Sequence, residues 1–338
     1  MSTIADVAAR AGVSKATASR ALTGRGYVSE ATRSRVAAAA RDLSYVAHSS
    51  ATSLATGRTQ TIGVVLPSIE RWFFAELLSG IQESLLSLDY DLALYGFGED
   101  SGQRARLFES VLPRKRFDGL ILAGIQPGPH ELERVQRADH PLVTVGPPVA
   151  GASSVSIDDS AAARIATEHL IELGHTRIAL VGTTAETATR SFVDSRRVDG
   201  YRDAMSSAGL GAQVRIADGA GVGTGSMPDG YGAAAELLGD RRDRPSAIVG
   251  ICDEAAIGAI IASRRLGISV PAELSVVGID DHQHAEMFAL TTIRQRPRDQ
   301  GGEAVRLLQQ RIEDPAAPVE HVVAASALVV RNSTAPVR

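Results

Sequence analysis

Apolar residues recur at two distinct spacings along the chain, and the change of spacing divides it. From Thr3 to Leu43 they recur every three or four residues. Ile4, Val7, Ala8 and Ala11 form one helical face, Ala18 and Leu22 a second, and Val36, Ala40 and Leu43 a third. From Ile62 onward, short apolar runs alternate with helical segments. IGVVLP, DLALYGF, DGLILAG, PLVTVG and SVSID come first, with a helix expected from Phe74 to Leu88. The arrangement restarts after Asp158. RIALVG, QVRIAD, SAIVGI and LSVVGID are runs, and helices are expected over 161–173, 197–208, 230–238 and 254–266. Near-continuous apolar runs suit strands buried on both faces, and alternation with helices implies parallel βαβ units. Two repeats of similar length predict two doubly wound lobes. TTIRQ, a helix around 301–312 and ALVVR follow, and their order implies that the chain crosses between lobes more than once.

The first segment has punctuation as well as period. Thr3 and Asp6 have the spacing of a capping box. Gly12 permits the positive φ that closes a helix, and Ser14 caps the next one. The outer face of that second helix keeps Lys15, Ala16, Thr17, Ser19 and Arg20, and Ser29 caps a third. A short helix pair with a tight glycine turn and a basic outer second helix is a helix-turn-helix, shaped for a DNA major groove. Lys15, Ala16 and Arg20 project from the start and middle of that helix and are the expected base readers, Arg20 being suited to guanine O6 and N7. Thr3, Ser14, Thr17, Ser19 and Tyr45 are the expected phosphate contacts, which set register.

Here the chain resembles the lactose-repressor (LacI/GalR) family of bacterial transcription regulators. The matching residues are TIADVAARAGVS, the T-x-S-R pattern from Thr17 to Arg20, VSEATRSRV from Val28 to Val36, and SALVVRNST near the C-terminus. The resemblance implies a helix-turn-helix head over 1–46, a hinge over 47–61 and a two-lobed, periplasmic sugar-binding-like body over 62–338. The first lobe would hold about 62–158 plus 292–325. The second would hold about 159–291 plus the C-terminal strand. It also implies a homodimer on a pseudo-palindromic operator in double-stranded DNA, with Leu54 of each hinge wedged into the minor groove at the centre. The chain departs from the family pattern at Ala47-His48 and Thr52 in the hinge, and at Ala18, where relatives carry valine.

Charge supports a polyanion partner at one end. Residues 1–60 hold eight Lys or Arg against three acids, a net of +5, while the whole chain of 338 residues is at −4; the remainder therefore carries −9. A basic head on an acidic body suits nucleic acid. The single cysteine, Cys252, rules out an internal disulfide and a cysteine-based zinc site. No apolar run approaches membrane-spanning length and no export signal opens the chain, so no membrane partner and a cytoplasmic setting are expected.

Ligands of open α/β sheets bind beyond the carboxyl ends of the strands. Ser68, Trp72, Phe73 and Phe74 follow IGVVLP, and the two rings in the expected loop, Trp72 and Phe73, suit stacking on a sugar face or a nucleobase. Arg196 and Arg197 precede Gly200-Tyr201 in RRVDGYR, where the resemblance places an arginine in the effector cleft. Cys252-Asp253 and Asp280-Asp281 end two later strands, and His282 follows. Paired carboxylates there would accept hydrogen bonds from hydroxyls. Where the family usually has Asn-Asp, Cys252 removes an amide, which implies a different ligand or a different pose.

No nucleophile–base–orienter set, P-loop or G-x-S-x-G elbow occurs. The glycine run GAGVGTG at 219–225 misses the G-x-G-x-x-G spacing and is expected to be a flexible surface loop. The eight histidines show no paired metal spacing on a helix, so neither a metal nor a cofactor is expected. The expectation is a DNA-binding regulator, acting as a repressor and controlled by a sugar or sugar derivative, not an enzyme. The alternatives are a solute-binding receptor and a regulator dependent on a purine-type corepressor.

Overall fold

The computed structural model describes residues 2–23, 27–45, 57–97, 101–183, 192–217 and 225–337. Leu54 of the hinge and most of the 219–225 glycine run lie outside the described residues.

The head is three helices: α1 (Ile4–Ala11), α2 (Lys15–Thr23) and α3 (Glu30–Asp42). The capping box at its start is formed. Asp6 accepts from the Thr3 amide at 2.7 Å, and the Thr3 hydroxyl accepts from the Asp6 amide at 3.4 Å. The Thr3 amide and, at 2.8 Å, the Thr3 hydroxyl donate to the Asp6 carboxyl and hold it below its usual pKa. Gly12 ends α1 at φ +65°, and the Val13 amide returns to the Ala8 carbonyl at 3.0 Å, as a left-handed helix end requires. Ser14 accepts from the Thr17 amide at 3.1 Å and Ser29 from the Thr32 amide at 3.4 Å. Val7, Ala8, Ala18, Ala21, Val36, Ala39 and Ala40 make the core of the head. Mostly alanine, this core lets three short helices approach closely, and Ile4, Leu22, Leu43 and Tyr45 pack half-buried around it.

Each lobe is a six-stranded sheet. The first holds β1 (Thr61–Leu66), β2 (Asp91–Gly96), β3 (Gly119–Ala123), β4 (Leu142–Val145) and β5 (Ser153–Ser156). Its helices include α4 (Trp72–Ser87), α5 (Ser101–Arg106) and α6 (Pro129–Arg137). The second lobe begins with α7 (Asp159–Glu172), β6 (Ile178–Val181), α8 (Phe192–Ser207), β7 (Arg215–Ala217) and α9 (Met227–Gly239). It continues with β8 (Ala247–Gly250), α10 (Asp253–Arg265), β9 (Ser275–Asp280) and β10 (Thr291–Arg294). The tail supplies α11 (Pro297–Glu313), β11 (His321–Val323) and β12 (Ala327–Val329).

Strand order is β11-β5-β4-β3-β1-β2 in one sheet and β12-β10-β9-β8-β6-β7 in the other. All pairings are parallel except β10 with β12. Each order reverses once, between β1 and β3 and between β6 and β8. Those reversals are where a crevice opens beyond the strand ends.

Two boundaries differ from expectation. The return to the first lobe does not begin at 292, because Thr291–Arg294 pairs with β9 in the second sheet. The crossing falls between β10 and α11, where Gln295 and Arg296 join the two. α11 then packs on α4 so closely that a Cβ on Gly80 would lie 2.0 Å from the Arg298 carbonyl oxygen. The helix expected from Phe74 begins instead at Trp72. Its N-cap is Arg71, which makes no side-chain cap, so no Ser, Thr, Asp or Asn marks the start.

Candidate functional site

On the head, α2 turns Ala18 and Ala21 inward and leaves Lys15, Ala16 and Arg20 exposed. Thr3 and Ser14 are exposed, and Thr17, Ser19 and Tyr45 are half-buried beside them. The Ser14 and Thr17 hydroxyls lie 2.9 Å apart at the start of α2. This is a short helix end with small hydroxyl side chains, one lysine and one arginine on one side. Such a face admits close approach to a base-pair edge and to phosphate.

Between the lobes, the residues at the strand ends form a buried polar cluster. Arg197, on α8, donates from Nε to Asp159 Oδ1 at 2.9 Å and from Nη1 to the Ile251 carbonyl at 2.7 Å. Asp280 Oδ1 is 3.7 Å from Arg197 Nη2 and accepts from Gln295 Nε2 at 2.6 Å. Gln295 is held in turn by Gln300 at 3.0 Å. Asp253 is fully enclosed, its Oδ1 accepting from Thr292 Oγ1 at 2.6 Å and its Oδ2 from the His282 amide at 2.8 Å. The Asp280–Asp281 corner is strained, with φ +137° and +59° at consecutive non-glycine residues. Arg294 and Arg331 clamp Asp281 from outside at 2.6 and 2.7 Å.

The electrostatics follow from burial and neighbours. Burial, then the adjacent Asp280 charge, pushes Asp253 well above the normal carboxylate range. Burial also raises Asp280, but Arg197 and Gln295 restrain it. Burial pushes the Cys252 thiol up to about 12, so it is a neutral group. Burial lowers His282, whose ring is therefore neutral near pH 7.

Contacts also cross the cleft. Arg71 of the first lobe donates from Nε to Glu254 of the second. Its Nη2 donates to the Gly225 carbonyl at 3.0 Å and approaches Cys252 Sγ at 3.3 Å. The Trp72 and His282 rings face each other with centroids 4.9 Å apart.

The expected effector residues thus divide. Trp72, Arg197, Cys252, Asp253, Asp280 and His282 gather in one region. Ser68 accepts from the Glu70 amide at 3.2 Å and shapes the turn. Phe73 and Phe74 meet edge-to-face and pack on the first lobe's core. Phe74 stands over Gly124, where any Cβ would come within 2.5 Å of the ring. Arg196 is exposed, one helical position out of phase with Arg197. Asp253 is a clamp between α10, β10 and the His282 turn, since both its oxygens are occupied. Gly225, the last residue of the glycine run, is buried against the cleft and not on a surface loop.

The N-terminal segment matches the profile of bacterial regulatory proteins, lacI family, over residues 3–48. Residues 167–334 match a periplasmic binding protein-like domain. The HTH-type transcriptional regulator DegA of Bacillus subtilis (strain 168) is 33% identical over 350 residues, covering 99% of this chain and 98% of DegA. The chain belongs to the lacI family. The ribose operon repressor of Escherichia coli (strain K12) is 34% identical over 98% of this chain and all of its own length. A crystal structure of the Lac repressor dimer bound to operator and the anti-inducer ONPF superposes with a TM-score of 0.82 at 25% identity, covering 99% of each chain.

A lacI-family cleft thus contains three residues here that the sequence pattern did not single out: Arg71, Glu254 and Gln295. Arg71 stood within the loop after IGVVLP, and a charged residue beside the expected rings was the available signal. Glu254 lay inside a helix pattern, and Gln295 on a crossover placed in the wrong lobe. None of the helices is long and apolar enough to cross a membrane among the described residues.

Proposed function

We propose that the protein is a homodimeric, sequence-specific transcriptional repressor whose hold on its operator is set by a small effector, a sugar or sugar derivative, in the inter-lobe cleft. The observation that carries this is α2, which buries Ala18 and Ala21 and presents Lys15, Ala16 and Arg20 together. Lys15, Ala16 and Arg20 read base edges. Thr3, Ser14, Thr17, Ser19 and Tyr45 hold the phosphates, and Leu54 of each hinge enters the minor groove between half-sites. The protein works in the cytoplasm, where its DNA is.

The kinship with a ribose operon repressor and with a repressor solved on its operator supports both halves of the reading. Within the cleft, Trp72 supplies an apolar ring, and Arg197, Asp280 and His282 supply polar contacts. Coupling is thermodynamic linkage: an effector that prefers one lobe angle changes the spacing of the paired hinges, and DNA must change effector affinity by the same factor. The solute-receptor alternative accounts for two lobes but not for a basic helix-turn-helix. Selection of duplexes from a random library by the full-length protein tests the reading. Enrichment of a pseudo-palindrome with half-sites about one helical turn apart is expected. Recovery of unenriched sequence would refute it.

A further inference from the structure

Arg71 sits at the unfavourable end of its own helix. It is the N-cap of α4, makes no side-chain cap, and has no acid in the first turn of that helix. A helix N-terminus carries partial positive charge, so a guanidinium there is destabilised. Its salt bridge is made with the other lobe, with Glu254. Glu254 lies in the first turn of α10, where free N–H groups and the helix dipole favour a carboxylate with or without Arg71. The dependence is therefore one-sided: Arg71 needs an anion more than Glu254 needs a cation.

A second observation points to the same place. Trp72 Nε1–H, next to Arg71, is buried without an acceptor. An unmade hydrogen bond of this kind costs free energy that a ligand acceptor would recover. Opposite Trp72, His282 Nδ1 accepts from the His284 amide at 3.0 Å, which leaves the proton of the neutral ring on Nε2. Arg71 thus meets Glu254 where two helices begin, and the next residue, Trp72, carries the unmade hydrogen bond and lies against the His282 ring.

We propose that the effector is a hydroxylated anion, a sugar acid or a sugar phosphate, whose acidic group replaces the Glu254 carboxylate on Arg71. The proposal rests on the reading of the cleft as an effector site. A neutral sugar that parted Arg71 from Glu254 would break the guanidinium's salt bridge at the positive end of α4 and offer no charge in exchange. An anionic ligand restores the charge pair and lets its hydroxyls reach Asp280.

The test is calorimetric titration of the full-length protein. Gluconate, glucuronate and galacturonate form one arm, glucose 6-phosphate and ribose 5-phosphate a second, and glucose, galactose and ribose a neutral third. Saturable binding is expected in an anionic arm, and which arm responds distinguishes carboxylate from phosphate. Arg71→Met should weaken that binding at least about 30-fold, as removal of one member of a shielded charge pair does. Glu254→Gln removes the competing carboxylate and should tighten it. Inorganic phosphate gives a probe independent of sugar stereochemistry. Glu254→Gln should bind it about tenfold more tightly than the parent, and Arg71→Met/Glu254→Gln should not, a difference of about 1.4 kcal/mol. The proposal is overturned if Glu254→Gln gains no phosphate affinity. It is equally overturned if Glu254→Gln weakens binding of the anion that binds, or if a neutral aldose binds and survives Arg71→Met. Failure of the wild-type protein to prefer any duplex would instead sink the regulator reading, and that is measured separately.

Discussion

Arg197 Nε donates to Asp159 Oδ1 at 2.9 Å, and both side chains are only 7% exposed. The pair ties α8 to the residue that opens α7, directly behind the cleft. Removing one member of a buried pair leaves the other uncompensated, at a cost of about 3–5 kcal/mol. Arg197→Met is therefore expected to lower the urea midpoint of the second lobe strongly. Because Asp280 also loses its nearest guanidinium, the same variant should lose its response to effector. An unchanged midpoint would show that the pair contributes little.

Asp253 predicts a pH dependence of definite sign. Its pKa in the folded chain is raised by burial, then by Asp280. A carboxyl with a raised folded pKa contributes stability while both states are protonated, and loses it as pH rises through the folded value. Asp253→Asn keeps an acceptor for the His282 amide and a donor for Thr292, but cannot ionise. The stability of Asp253→Asn relative to the parent should therefore grow as pH rises from about 5 to about 9. Thermal unfolding at matched ionic strength measures the difference; a constant difference across that range contradicts the assignment.

Gly278 has no room for a side chain. A Cβ there would lie 2.1 Å from Asp253 Oδ1. Gly278→Ala must displace the carboxylate that holds Thr292 and the His282 turn, and is expected to cost about 1–3 kcal/mol. The loss should appear in the unfolding midpoint and largely vanish when measured against an Asp253→Ala background, since the displaced group is then absent.

Much of this architecture was legible in the alternation of apolar runs, because strands buried on both faces leave little choice of residue. IGVVLP and LSVVGID became β1 and β9 for that reason, and Thr3, Gly12 and Ser14 marked helix ends through local chemistry alone. The cleft was legible only in part. Cys252, Asp253 and Asp280 stand at strand ends and could be placed by topology, while Arg197, inside α8, was marked only by the family resemblance. The Arg71–Glu254 pair joins positions 183 residues apart and leaves no local trace. The start of α4 was hidden because Arg71 is not a capping residue type. The expected boundary at 292 cuts through β10, because a short strand carries no signal of which sheet it will join.

Arg20 separates recognition from folding. It is exposed on α2 while Ala18 and Ala21 fill the core behind it. Arg20→Ala is expected to leave the thermal midpoint unchanged. It should cost about 1–3 kcal/mol of affinity for the preferred duplex and relax the preference at one base pair of each half-site. Anisotropy titrations on duplexes varied singly at that position would reveal it. A uniform loss across all sequences would assign Arg20 to phosphate.

In the proposed function, one small basic head chooses a DNA sequence and the two-lobed body sets how tightly it is held. The most direct measurement is fluorescence anisotropy of the full-length protein on its selected duplex and on a scrambled duplex of equal length, at one fixed salt concentration. A preference of at least about 10³-fold is expected, typical of specific over non-specific sites. Equal affinity for the two duplexes would contradict it.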